Sequence, residues 1–228
     1  MNKQITLITA LLSGITTALA GINVDLPGTS QEEAVWENLI GTNYPTSAGY
    51  NSFFTNTNGW TTPISASSGS ATFDKVAGGG GYPASSSIYN FDTAGSFFIA
   101  DTSPIAGLET VVFQTDMVGA FSATNAPVLS YNGGTQDLVA DYTAVAVGDF
   151  AFGADPSTIF AFQWDLSGLG SITDYTIEWG SIAHSANFAM QLNTSNGSLA
   201  GSAIPEPSTY GLILGSLCLG ILVHRRRR

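Results

Sequence analysis

The sequence predicts an all-β protein, a single antiparallel β-sandwich of jelly-roll-like form, set between an N-terminal signal peptide and a short C-terminal transmembrane helix. Three observations predict it. Short runs alternate large apolar with polar residues at a period of two, the mark of strands with one buried face. Clusters of Gly, Asn, Pro and Ser punctuate these runs at short intervals. Helix-periodic stretches are nearly absent between the two apolar ends.

The first element is MNKQITLITALLSGITTALA. A single Lys3 precedes an apolar centre from Ile5 to Leu12, and the segment closes on Ala18-Leu19-Ala20. A basic start, a short apolar core and small residues at −3 and −1 make a signal peptide over residues 1–20, cleaved between Ala20 and Gly21. Position 21 is not cysteine, which argues against the lipoprotein route.

Residues 21–196 form the expected sandwich domain. Near its start, QEEAVWENL (Gln31 to Leu39) places acids directly after Thr29-Ser30, an arrangement that reads as an N-capped helix. The expectation is one short helix packing Val35 and Leu39 on the sandwich edge. Lys75-Val76-Ala77 then runs into Gly78-Gly79-Gly80-Gly81-Tyr82-Pro83, expected to be a loop. No GK[ST] follows these glycines and no helix pattern begins there, so they make no phosphate cradle.

Strands are expected where Val111, Phe113 and Met117 alternate with Gln114 and Asp116, and where Phe160, Phe162 and Trp164 alternate with Gln163 and Asp165. Tyr175, Ile177 and Trp179 oppose Thr176 and Glu178 in the same way, as Phe188, Met190 and Leu192 oppose Asn187 and Gln191. Asn132-Gly133-Gly134 marks a turn between strands around Leu129 and Val139. Asp155-Pro156 and Ser167-Gly168-Leu169-Gly170 mark two more, and SIAHSAN around His184 a hairpin connection. Residues 197–204 read as a polar linker.

The body is long enough for one sizeable core. Outside the terminal segments it keeps only Lys75 against sixteen acids, a net charge of roughly −15, where the full chain carries −11. Such a body repels phosphate backbones, which excludes nucleic-acid binding and disfavours anionic membrane surfaces. The only cysteine, Cys218, lies in the apolar tail, so the body has no disulfide and no catalytic thiol.

The tail carries the most specific pattern. From Tyr210 to Val223 about 14 residues are mostly apolar, a helix of ~21 Å against a hydrocarbon core of ~30 Å. Arg225, Arg226, Arg227 and Arg228 hold their end on the cytoplasmic side, so everything before Tyr210 faces outward. A marginal span ending on a basic cluster suits a temporary hold during export better than a lasting anchor. Pro205 and Pro207, flanking Glu206, keep the backbone extended just outside the bilayer, where a processing enzyme can reach it. The same prolines are also readable as a plain linker.

The Pro205-Glu206-Pro207-Ser208-Thr209 motif, the apolar stretch and the arginine cluster together resemble the PEP-CTERM sorting signal of Gram-negative bacteria, over residues 205–228. The resemblance implies recognition by exosortase, a membrane transpeptidase-like enzyme, after export by the secretion machinery. It further implies removal of the tail near Pro-Glu-Pro and passage from an inner-membrane intermediate to the cell surface or extracellular matrix. Such proteins accompany exopolysaccharide production and biofilm formation, which makes exopolysaccharide a candidate partner. More weakly, NLIGTNYPTSAGYNSF, GSFFIADTSPIAGLETVVFQ and FQWDLSGLGSITDYTIEWGSIAHSANFAMQL resemble passenger domains of other PEP-CTERM proteins, which supports a sandwich more than a function.

The chemistry-bearing residues point to no reaction. Glycoside hydrolysis needs two facing carboxylates. Asp165, Asp174 and Glu178 lie near Trp164 and Trp179, yet alternation puts Asp165 and Glu178 on polar faces. His184 is the one histidine outside the tail, and no G-x-S-x-G precedes it, so it reads as a solvated loop residue. One His and no Cys make a transition-metal site unsupported. No D-x-D-x-D-G loop supports a structural calcium, and no cofactor is expected. The expectation is a non-enzymatic structural or adhesive surface protein. The rival is a carbohydrate module, either a lectin-like binder or a weak glycosidase. Among Trp36, Trp60, Trp164 and Trp179, alternation assigns the last two to the core. Trp60, in NTNGWTTP, is the candidate exposed platform for a sugar ring.

Overall fold

The computed structural model describes residues 22, 24–39, 60, 62–78, 80–84, 86–121, 126–199 and 201. The expected signal peptide with Gly21 and the expected sorting segment 205–228 lie outside them. The described chain is all-β and contains no helix. Its strands are β1 (Gln31–Trp36), β2 (Ile64–Ser65), β3 (Thr72–Gly78), β4 (Tyr82–Ala84), β5 (Ser87–Asn90), β6 (Gly95–Asp101) and β7 (Thr110–Val118). After them come β8 (Val128–Tyr131), β9 (Leu138–Val139), β10 (Tyr142–Phe152), β11 (Asp155–Asp165), β12 (Tyr175–Ser181) and β13 (Ser185–Ser195).

These strands pair antiparallel throughout into two sheets. The larger runs β10-β11-β7-β13-β5-β4, with β1 also on β13; the smaller runs β2-β3-β6-β12-β8-β9. Inward residues of both sheets form one hydrophobic cluster that includes Trp36, Phe113 and Leu192 with Phe73, Phe97 and Trp179. Phe113 of β7 meets Trp179 of β12 at 5.0 Å between ring centroids, and Phe73 stacks on Trp179 at 5.8 Å. Aromatic pairs at these spacings add about 0.5–1.5 kcal/mol each beyond area burial.

Strand β12 follows its alternation as expected, with Tyr175, Ile177 and Trp179 buried and Thr176 and Glu178 exposed. The turn at Asn132-Gly133-Gly134 does join paired strands β8 and β9. Several expectations are corrected. Gln31–Trp36 is a strand, because the edge of β13 offers it six backbone pairs, from Gln31↔Ser195 to Trp36↔Met190. A nine-residue helix gains too little from its own hydrogen bonds to compete. Leu39 is fully buried all the same, and β1 does lie at a sheet edge.

The second correction concerns faces. Gln114, Asp116 and Gln163, expected on solvated faces, are fully buried. Both termini of the body cross the outer face of the larger sheet. Ile22 and Leu26 pack there on Val112, Ala144, Ile159 and Ala161, with Leu199 alongside. The Gln163 amide donates to the Gly201 carbonyl at 3.2 Å, and the Thr110 hydroxyl to that of Gly197 at 2.8 Å. Third, two connections differ. The β10–β11 turn is Gly153-Ala154, with Phe152 opposite Asp155 and Pro156 inside β11. The segment around His184 is no hairpin, since it carries the chain from β12 in one sheet to β13 in the other.

The glycine run is also shorter as a loop than expected, because β3 reaches Gly78 and β4 starts at Tyr82. Gly80 and Gly81 serve close packing. A Cβ on Gly81, whose φ is +87°, would lie 2.8 Å from the Phe97 ring, and one on Gly80 would strike the Asn90 amide.

Candidate functional site

Trp60 is not an exposed platform. It is 6% exposed and packs edge-on against Phe73 at 5.2 Å and beside Phe97 at 6.2 Å. Its flanks read as a loop, but the smaller sheet presents an aromatic floor that buries the indole. Trp36, Trp164 and Trp179 are buried too. The indole N–H of Trp36 donates to the Ile64 carbonyl at 3.0 Å and that of Trp164 to Leu138 at 2.9 Å. None of the four tryptophans offers a ring face to a sugar.

Two of the three carboxylates weighed for glycoside chemistry are engaged in turns. Asp165 accepts from the Ser167 N–H at 2.9 Å, an Asx turn that starts the Ser167-Gly168 reversal. Asp174 accepts from the Gly133 N–H at 2.8 Å and the Thr173 hydroxyl at 3.0 Å, tying the β8–β9 turn to the start of β12. Glu178 faces solvent. His184 is exposed with φ +58°, and its N–H donates to the Asn90 carbonyl at 2.6 Å. Among the described residues no three His, Cys, Asp or Glu side chains gather as a metal-binding group.

The ionisable groups that do converge were not singled out in the sequence. Glu32 of β1, Ser70 of the β2–β3 turn, Asp101 at the end of β6 and Tyr175 at the start of β12 meet at a small hollow. Ser70 sits between the acids, its Oγ 2.9 Å from Glu32 Oε1 and 3.0 Å from Asp101 Oδ1. Its backbone N–H also donates to Glu32 at 2.5 Å. A hydroxyl has one proton, so Ser70 can satisfy only one carboxylate at a time.

Burial pushes Asp101 above the usual carboxylate range, and the Glu32 charge adds to that. The Ser103 N–H, donating at 2.9 Å, and the Ser70 hydroxyl pull the other way. Tyr175, 1% exposed, is pushed well above the ordinary phenol range by burial first and by the two acids second. Its hydroxyl feels the Asp101 charge without making a well-aligned hydrogen bond. The hollow has no room for even a water-sized sphere, so no sugar fits in it. Glu32 was legible only as a first-turn helix acid. The Asp101-Thr102-Ser103 turn signal was the one available clue.

Two further perturbed groups lie on β3. Lys75, 2% exposed, is lowered by burial to about 8, and burial raises its neighbour Asp74 despite the N–H of Lys75 that caps it at 2.7 Å. No family model matches the chain, and neither a curated protein nor a solved structure matches it.

Proposed function

We propose that this chain is an exported protein with a structural or adhesive, non-catalytic role at the cell surface or in the extracellular matrix, delivered there by exosortase-type sorting. The observation that carries the reading is the C-terminal order of Pro205-Glu206-Pro207, a short apolar stretch and Arg225–Arg228, paired with the N-terminal export segment. The body is a β-sandwich whose two sheets close on a shared aromatic core, held by packing without disulfides. An acidic body suits a hydrated polysaccharide layer, where net charge keeps neighbouring copies apart. Support for a non-catalytic role comes from the turn-bound carboxylates and the narrow hollow at Ser70.

The test is genetic. Replacing Pro205, Glu206 and Pro207 by alanine should trap the protein in the inner membrane, outward-facing and full length. Normal delivery of that variant to the surface or medium would refute the sorting reading.

A further inference from the structure

The outer face of the larger sheet buries two polar side chains that the fold leaves without full partners. Gln114 and Asp116 of β7 are both 0% exposed and sit two residues apart on that face. Among the described residues, neither amide atom of Gln114 has a hydrogen-bond partner, and nor has Asp116 Oδ1. Asp116 Oδ2 accepts from the Asp149 N–H at 3.0 Å. Gly148 closes over the other oxygen so tightly that a Cβ there would strike Asp116 Oδ1 and Ser157 Oγ. A buried carboxylate oxygen left unanswered is costly, because nothing offsets its desolvation.

No Lys or Arg side chain of the body is placed to answer it. Lys75, the only one between the terminal segments, belongs to β3 of the smaller sheet. What does lie on this face is the start of the body. The Ser195 hydroxyl donates to the Pro27 carbonyl, and Ser195 pairs with Thr110, so the segment meets the sheet at the Thr110 end of β7. Followed back from there it runs through Leu26 to Ile22, both buried in one cluster with Val112, Ala144, Ile159 and Ala161. Ile159 is the register partner of Asp116, and Ala161 that of Gln114. Leu26 to Ile22 is four extended steps, ~13 Å, which matches the rise from Val112 to Asp116. The backbone nitrogen of residue 21 is bonded within ~5 Å of the Ile22 Cα, whatever its direction.

We propose that leader removal makes the missing partner: the ammonium of a new N-terminus at Gly21 pairs with Asp116 Oδ1 and donates also to Gln114 Oε1. Hydrolysis of the Ala20–Gly21 bond puts the water oxygen on Ala20 and turns one amide N–H into an amine. With an ordinary pKa of about 7.7–8.0, that amine is an ammonium near neutral pH, carrying three donors and one charge. Before the cut the same nitrogen offers one donor and no charge. Maturation then fastens the first segment to the sheet, in a body that has no disulfide to hold its ends. The inference rests on the export reading for the identity of the first residue.

The test uses the chain from Gly21 to Arg228 in mild detergent, released from a fusion so that Gly21 is its first residue. Beside it stands the same chain with one alanine added in front. The first readout is the rate at which an amine reagent labels Gly21 in the folded protein at neutral pH, followed by peptide mass spectrometry. The expected rate is ~10-fold or more below that of the Asp116→Asn variant, because a buried ion pair holds the amine closed. The second readout is the thermal midpoint. It should fall when the alanine is added or Gly21 is acetylated, and should not fall for either change in the Asp116→Asn background. Rapid labelling of Gly21 in the unaltered chain would overturn the inference. So would a midpoint that ignores acetylation, a comparison that needs no Asp116 variant to fold. A midpoint raised by calcium alike in both chains, and only while Asp116 is present, would give the carboxylate to a metal and overturn it too. Because the fusion sets the start, the N-terminal sequence of the native protein tests the export reading separately.

Discussion

Asn196 and Ser30 hold each other twice. The side-chain carbonyl of Asn196 accepts from the Ser30 N–H at 2.9 Å, and the Asn196 N–H donates to the Ser30 carbonyl at 3.1 Å. The same side-chain oxygen accepts from the Thr29 N–H at 2.9 Å. The clasp joins the first described segment to the last, so both ends of the body leave it together, just before the linker.

Breaking that clasp should loosen the ends before the sheets. Asn196→Ala is expected to cost about 1–3 kcal/mol, the range for orphaning partly buried donors, and to speed proteolysis near residues 24–30. Asn196→Asp, which keeps the acceptor, should cost less. Urea unfolding and limited proteolysis of the two variants check this, and equal stability in both would contradict it.

Trp60→Ala should behave as a core deletion. Losing an indole packed on Phe73 and Phe97 is expected to cost about 3–5 kcal/mol. Polysaccharide binding, measured by pull-down at a temperature where the variant stays folded, should be unchanged. Loss of binding in a fully folded variant would restore Trp60 as a sugar contact.

Lys75 sets an alkaline signature. Its folded-state value of about 8 lies below the ordinary 10.5, so between those limits the unfolded chain holds more protons than the folded one. Stability therefore rises as pH increases from about 8 to 10.5. Lys75→Met should flatten that rise and stabilise the fold below pH 8. Denaturant midpoints across the window read it directly, and an unchanged slope in the variant would assign the rise elsewhere.

At acid pH the sign reverses. Burial raises both Asp74 and Asp101, so the folded state takes up protons before the unfolded one does. Their contribution to stability is largest below the ordinary value of 3.8 and is lost as pH climbs through their raised values. Asp101→Asn should reduce this acid-side dependence. Ser70→Ala, which removes the hydroxyl between the two acids, should raise Asp101 further, a shift that carboxyl NMR titration can follow.

Much of the fold was legible because one face of a strand differs from the other. Tyr175, Ile177 and Trp179 announce β12 for that reason, as do Val111 and Phe113 in β7 and Met190 and Leu192 in β13. A bulge between Asn187 and Ala189, however, takes Phe188 out of the expected face into a separate cluster with Val118 and Ala186. The outward residues misled, because the segment that bonds Gln163 and the segments that cover Val112 and Ala161 beside it come from chain ends far away in sequence. Strand β1 was hidden for a similar cause. Its acids suit a helix start locally, while its pairing partner β13 lies about 160 residues on. Trp60 sits among turn-forming residues, and only Phe73 and Phe97 decide its burial. Glu32, Ser70 and Asp101 are brought together by three different turns and strands, a convergence no spacing rule encodes. The sorting pattern is the opposite case, since its meaning lies in linear order.

The central claim concerns the tail, and the most direct measurement is the intact mass and C-terminal sequence of the protein from its native host, taken separately from membrane, surface and medium. The expected result is a mature chain that begins at Gly21, ends near Pro205 and is found at the surface or in the matrix. A chain still carrying Arg228 in the membrane fraction, with none of the shortened form elsewhere, would contradict it and make the short apolar stretch an anchor.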